Sequence, residues 1–254
     1  MAVNSPWVAI PTPKDLAQID GGISESIWAV DTSDNVYIYS NDNWDLVNGR
    51  MASVTSGESM FAISSNGNLW YRQGVLLENP KGYEWQQVKV NTPMMKIESG
   101  RRGVAVGLDL QGNLYQFQLK DTGPTGVFWR LIATDASDPL VDVSCGSYRC
   151  WFVARSGNVF IDQGIDADNQ GSEGSSLLQQ ISGIPMKQVA AGFGESVWAI
   201  STSGQVYKRA GVNALSPGGS EWQRVDDVMF SMITVGLRKV FGLTRSGLLI
   251  TLEG

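Results

Sequence analysis

One pattern is written six times along this chain, and no single copy has enough apolar surface to fold without its neighbours. The copies align on a final apolar residue at Tyr37, Trp70, Tyr115, Phe160, Tyr207 and Ile250. Three residues earlier stands Gly67, Gly112, Gly157, Gly204 or Gly247, with Asp34 in the first copy. Nine residues earlier stands Trp28, Phe61, Val106, Trp151, Trp198 or Phe241. Thirteen to fifteen residues earlier comes another glycine, at Gly22, Gly57, Gly100, Gly146, Gly192 and Gly236. Further upstream lies a Trp-x-x-[Val/Ile] element at Trp7, Trp44, Trp85, Trp129 and Trp222, with Leu178 in its place ahead of the fifth copy. The copies recur every 33 to 47 residues. Short apolar runs punctuated by glycine turns at that period are the signature of a propeller-like array.

Length alone permits one domain or two in 254 residues, and the repeats decide for a single domain over 1–254. With 19 Lys+Arg against 25 Asp+Glu, the chain lacks the basic stripe that phosphate binding needs, so nucleic acid is not expected as a partner. No run reaches 18 apolar residues, and membrane insertion is not expected. The start, Met1 to Trp7, has no basic cluster followed by an apolar stretch. It reads as cytoplasmic, or as secreted if a signal has been removed. The chain has no histidine, which removes the Ser-His-Asp and Cys-His nucleophile systems and most zinc sites.

The fifth copy shows how one repeat becomes one blade. Lys187–Gly192 is a short strand ending in small residues, suited to crowding around a central axis. Ser196–Ile200 is a Val/Trp/Ile strand fit for a buried pleated surface. Ser201-Thr202-Ser203-Gly204 is a tight turn with glycine where a positive φ is expected. Gln205–Arg209 alternates apolar and polar residues as a third strand, and Glu221–Val225 is the fourth. The first Trp strand precedes any complete blade, and the last copy stops after its third strand. Residues 6–10 are therefore expected to pair with the strand around Leu248–Leu252, closing a ring of six four-stranded antiparallel blades and removing its open edge.

The connection Asp162–Gly174 is acidic and rich in Gly and Ser. A calcium loop of the helix–loop–helix kind needs Glu at its twelfth position, and counting from Asp166 gives Leu177, so no metal is assigned. No phosphate loop, paired-carboxylate motif or nucleophile elbow appears. Neither a catalytic residue nor a cofactor is assigned, and the chain is not expected to be an enzyme.

With Trp-x-x-Val, then Glu-Ser-Ile-Trp-Ala-Val (Glu25–Val30) or Glu-Ser-Val-Trp-Ala-Ile (Glu195–Ile200), then Gly-x-Val-Tyr, the repeats resemble those of the tectonin family, which includes fish-egg lectins, tachylectin-1 and slime-mould and fungal tectonins. The likeness runs from Trp7 to Leu252 and is weakest in the third and sixth copies. It implies a sugar-binding propeller of five or six blades that recognises glycans on microbial or other foreign cells in innate defence. For fungal members it implies a preference for O-methylated sugars. Tectonin-like repeats also occur in large intracellular adaptors, so a protein-interaction propeller is the alternative.

The loops after the inner-strand glycines keep the scaffold and vary the chemistry. They supply Glu25, Glu58, Arg101, Tyr148, Arg149, Phe193, Glu195 and Arg238 on one face of the ring, as candidates to hydrogen-bond vicinal hydroxyls and stack on sugar. The competing reading is that hairpin tips are charged for solubility. The outer Trp set (Trp44, Trp85, Trp129, Trp222) has faces fit for a pyranose, yet its spacing is that of the architecture, which favours packing. Cys145 and Cys150 flank one tip in positions compatible with a disulfide. In a reducing compartment they are expected as thiols. Oligomeric state, the sugar and the number of working sites are not readable from the sequence.

Overall fold

The computed structural model describes residues 7–13, 15–22, 26–100, 104–118, 128–165, 177–192, 194 and 196–253. After β1 (Val8–Ile10), the first copy forms β2 (Leu16–Gly21), β3 (Ile27–Asp31), β4 (Asn35–Ser40) and β5 (Asn43–Arg50). The second forms β6 (Ser53–Ser56), β7 (Met60–Ile63), β8 (Leu69–Arg72) and β9 (Trp85–Val88). The third forms β10 (Met94–Ser99), β11 (Val104–Asp109), β12 (Leu114–Gln118) and β13 (Phe128–Ala133). The fourth forms β14 (Leu140–Cys145), β15 (Cys150–Ala154), β16 (Val159–Asp162) and β17 (Leu178–Ile181). The rest of the chain forms β18 (Met186–Ala191), β19 (Val197–Ser201), β20 (Gln205–Arg209), β21 (Trp222–Val235), β22 (Lys239–Thr244) and β23 (Leu249–Glu253).

Each of the first four copies is a four-stranded antiparallel meander. The remaining strands form one seven-stranded sheet in the order β1-β23-β22-β21-β20-β19-β18. This sheet differs from the separate fourth strand expected at Glu221–Val225, because β21 runs on without a break. Its Trp222–Arg224 end pairs with β20, and its Phe230–Val235 end pairs with β22. The chain's two ends meet as the repeat phase requires: Val8, Ala9 and Ile10 lie opposite Thr251, Ile250 and Leu249.

Burial explains why the second strand of each copy reads as a continuous apolar run. Every residue of β3 is buried, with alternate side chains facing opposite neighbours. Trp28 and Val30 join Val54, Met60 and Ala62 of the second copy, while Ile27 and Ala29 join Phe241 and Leu243 of the sixth. Equivalent apolar clusters lie between every consecutive pair of copies. The result is an all-β propeller whose core is the set of seams between sheets.

The repeated glycines fall into two physical classes. At the turn between second and third strands, Gly67, Gly112, Gly157, Gly204 and Gly247 have φ of 79°, 80°, 92°, 93° and 81°, and Asp34 has 61°. That left-handed backbone is open to glycine and to short polar residues. The glycines after the inner strands answer a different need, close approach. A Cβ on Gly57 would collide with the Ser99 carbonyl oxygen of the next copy, and one on Gly22 would lie 2.7 Å from Ser56 Oγ.

The innermost strands β2, β6, β10, β14, β18 and the second half of β21 contact one another in sequence, and β21 contacts β2. They leave an axial cavity of about 290 Å³. Small residues, expected here from the fifth copy, line only part of it. Gln18, Asp20, Lys96, Glu98, Asp142 and Gln188 also project into it. An inner strand has a free edge, and these side chains satisfy the next copy's backbone. Gln18 donates to Val54 O at 2.9 Å and accepts from Val54 N at 3.0 Å. Gln188 does the same with Ile233 at 3.0 Å each way. Asp20 accepts from Ser56 N at 2.5 Å, Ser144 Oγ from Ala191 N at 3.0 Å, and Thr234 Oγ1 from Gly21 N at 2.9 Å.

Candidate ligand-binding face

Because strands alternate in direction, the tips between first and second strands and the connections between third and fourth emerge at the same end of the propeller. The tip of the second copy is short, with Gly57 N donating to Ser59 O at 3.2 Å, and it presents Glu58 exposed. The tip joining β21 and β22 is closed by Gly236 N to Lys239 O at 2.8 Å and presents Arg238 exposed. The fourth-copy tip carries Tyr148 and Arg149, both half-buried. Of the candidate residues, Glu25, Arg101, Phe193 and Glu195 lie outside the described residues. Tyr148 and Arg149 share a tip, while Glu58 and Arg238 stand on tips of other copies.

Tyr148 and Arg149 have structural partners. Tyr148 leans on the cluster of Trp151, Val189, Ala191 and Val197 at the seam with the fifth copy. Arg149 Nη1 lies 3.8 Å from Asp162 Oδ1. Asp162 is buried and also accepts from the backbone N–H groups of Cys150, Gly164 and Ile165 at 2.5, 2.8 and 2.9 Å. Burial pushes its carboxyl up against the pull of those bonds and of Arg149. Cys145 and Cys150 are direct cross-strand partners and are joined as a disulfide, with Cα atoms 4.0 Å apart. The bond joins the cross-strand positions that the sequence marked as compatible with a disulfide, and it lies at the base of the Tyr148 tip.

The outer tryptophans are seam residues. Trp44 Nε1 donates to Pro11 O and Trp85 Nε1 to Asn48 O, each at 2.7 Å and each across to the preceding outer strand. Trp85 stands edge-on to Trp28, Trp222 to Trp151, and Trp129 is tilted against Phe117 at 4.4 Å between centroids. The repeated final aromatic also has a local task. Tyr37 OH donates to Asp31 Oδ2 at 3.3 Å, and Tyr115 OH to Asp109 Oδ2 at 3.1 Å, tying the third strand to the turn.

The residues between Arg72 and Trp85 and between Arg209 and Trp222 form a matched pair of connections that repeat-by-repeat reading overlooks. Both keep Arg-x-Gly-Val, then Pro-x-Gly-x-Glu-Trp, at identical spacing. Arg72 Nε donates to Lys81 O at 3.0 Å and Arg209 Nε to Gly218 O at 2.9 Å. The guanidinium groups lie 5.1 and 5.2 Å over the rings of Trp85 and Trp222. Both arginines are buried, and burial pulls their guanidinium values down, opposed by Glu84 and Glu221. At the outer turns Leu76, Leu77 and Tyr83 in one connection and Leu215 in the other are exposed, Leu215 to 98%.

A ring of antiparallel sheets with chemically varied tips at one end defines a β-propeller. The sequence pattern of the Tectonin domain matches residues 1–96 and 134–245, and the chain belongs to that family. It is 25% identical over 169 residues to a tectonin β-propeller repeat-containing protein of Drosophila melanogaster, covering 64% of this chain and 12% of that protein. It is 30% identical over 79 residues to the fish-egg lectin of Cyprinus carpio, covering 31% of this chain and 32% of the lectin. The chain therefore spans well under two thirds of either relative. Among solved structures, human WBSCR16 superposes with a TM-score of 0.62 at 11% identity, covering 96% of this chain and 78% of that one. YCF48 from Cyanidioschyzon merolae superposes with 0.60 at 14%, covering 97% and 98%. These two likenesses are of fold alone.

Proposed function

We propose that the chain is a single six-bladed propeller that binds carbohydrate at several tips of one face, as a multivalent lectin of cell-surface glycans, O-methylated ones among them, in innate defence. The observation that carries this reading is the likeness to the carp fish-egg lectin. The placement of Glu58, Tyr148, Arg149 and Arg238 on tips of one rigid scaffold is consistent with it. The count of six follows if β21 is divided between two blades, as its two sets of pairing partners suggest. Several weak sites on one ring raise avidity by about 10²–10⁴ on a glycan-coated surface. The role is binding, not catalysis.

The test is a glycan array with plain and O-methylated sugars, probed with wild type and Arg238→Ala. Binding to a few related glycans that free sugar abolishes and the variant weakens supports the lectin. A blank array sinks it. One observation favours a second reading, a protein-binding propeller: the exposed Leu77, Tyr83 and Leu215 on that same face. A blank array with partner capture lost on Leu77→Ser and Leu215→Ser would select it.

A further inference from the structure

Among the described residues that line it, the axial cavity holds three carboxylates against one cation. Asp20 on β2, Glu98 on β10 and Asp142 on β14 face one ammonium, Lys96 on β10. The hydrogen bonds are distributed unevenly. Asp142 takes Lys96 Nζ and the Val189 N–H at 2.8 Å. Asp20 takes the Ser56 N–H at 2.5 Å, the Ser56 hydroxyl at 3.1 Å and the Thr234 hydroxyl at 3.2 Å. Glu98 lines the same cavity near the Thr55 hydroxyl, facing Asp20 from β2, Asp142 from β14 and Lys96 from its own strand. The other inner strands, β6, β18 and β21, bring Ser53, Gln188 and Thr234 to the cavity, none of them charged.

We propose that this cavity is a proton-sensitive clasp, in which a proton on Glu98 lets three carboxylates share one lysine at the axis of the ring. Like charges that share a site do not both ionise freely. Asp20 is the group on which a charged Glu98 presses. Asp20 also bonds residues of the second and sixth copies, so it spans the side of the ring where the chain's ends meet. Burial first, then Asp20 and Asp142 against Lys96, hold the Glu98 carboxyl well above its ordinary value. Burial likewise holds up Asp20 and Asp142. For Lys96 burial works downward, but Asp142 and Glu98 outweigh it and hold the ammonium up.

The sign follows from linkage. A carboxyl raised in the folded state binds its proton more tightly there than in the unfolded chain. Its contribution is complete below the ordinary carboxylate range and is lost as pH rises through the folded value. The raised Lys96 adds stability that is lost only at more alkaline pH.

The experiment is thermal and urea unfolding of the whole protein from about pH 5 to about pH 8.5, comparing wild type with Glu98→Gln. The folded-to-unfolded ratio of wild type is expected to fall with rising pH, by up to about tenfold per pH unit for one group. Glutamine copies the protonated carboxyl, so the variant should lose less stability than wild type as pH rises. Parallel profiles for the two proteins overturn the clasp. So does recovery of wild-type stability at alkaline pH on adding sodium or calcium ions, which would make the compensating charge a cation. If Glu98→Gln does not fold, the infrared spectrum of wild type decides. A protonated-carboxyl C=O band near neutral pH that fades as stability falls supports the clasp, and absence of the band overturns it.

Discussion

Trp85 donates its indole N–H to the backbone carbonyl of Asn48 at 2.7 Å, while Arg72 Nη1 reaches the Asn48 side-chain oxygen at 2.6 Å. One exposed asparagine thus satisfies two donors at the seam between the first and second copies. At the corresponding seam of the fourth and fifth copies, Ser182 stands where Asn48 would be, followed by Gly183 as Asn48 is by Gly49. There the matched donors, Arg209 Nη1 and Trp222 Nε1, are buried and lack an acceptor among the described residues.

Ser182→Asn should therefore stabilise the protein by about 0.5–1.5 kcal/mol, the net worth of one restored hydrogen bond. Asn48→Ala should cost about 1–3 kcal/mol by stranding the Arg72 guanidinium. Urea midpoints of the two single variants measure both effects. A neutral Ser182→Asn would mean that the fourth seam does not close as the first does.

The two classes of glycine call for different remedies. Gly57→Ala pushes a methyl into the Ser99 carbonyl and should cost about 1–3 kcal/mol or more. At Gly247 a Cβ would meet nothing within 4 Å and φ is 81°, so Gly247→Ala should cost only the left-handed backbone penalty of about 1–2 kcal/mol. Asparagine separates them. Gly247→Asn should recover much of the loss, as Asp34 does natively in the first copy, whereas Gly57→Asn should recover none. Equal behaviour of the two asparagine variants would contradict the division.

Asp31 works against the axial clasp in its dependence on pH. Burial raises its carboxyl, but bonds from Asn35 Nδ2 and N, Ser33 N and Tyr37 OH, at 2.8 to 3.3 Å, outweigh burial and hold it below its ordinary value. A depressed carboxyl adds stability above the ordinary range of about 3.9, and that stability is lost as pH falls through the folded value. Asp31→Asn should lower stability near neutral pH, and the gap to wild type should close in acid. A gap that stays constant from neutral pH to about pH 3 would show that the charge at Asp31 is irrelevant.

The architecture was legible because its signals are local and repeated. The turn glycines, the apolar second strands and the unpaired Trp strand at the start each act within a few residues, so the pairing of Val8–Ile10 with β23 could be read from phase alone. The outer tryptophans could be read as seam residues from their spacing, but the pairwise partners across the seams were not legible. Gly57 is required by Ser99 and Asn48 by Trp85, partners that lie 42 and 37 residues away in the chain and that only the assembled ring brings together. The matched Arg72 and Arg209 connections were visible in the letters, yet alignment on the preceding aromatics hid them, since no other copy shares that length. The polar inner strands escaped notice because the fifth copy, with Ala190 and Ala191, is the exception among them.

The Cys145–Cys150 disulfide joins residues directly opposite in β14 and β15, and both sulfurs are buried among Val143, Phe152 and Leu177. Closing so short a loop should stabilise the fold by about 2 kcal/mol through the unfolded chain. Reduced thiols keep nearly the same volume, so comparing oxidised and dithiothreitol-treated protein isolates the bond from the packing. Reduction should lower the urea midpoint and release the Tyr148 tip, which Ser147 N otherwise helps to hold against Gly192 O at 3.2 Å. Backbone exchange at residues 146–149 should rise more than at the Gly57 tip, which has no such bridge. Were exchange to rise equally at both tips, the bond would be acting on global stability and not on the geometry of this tip.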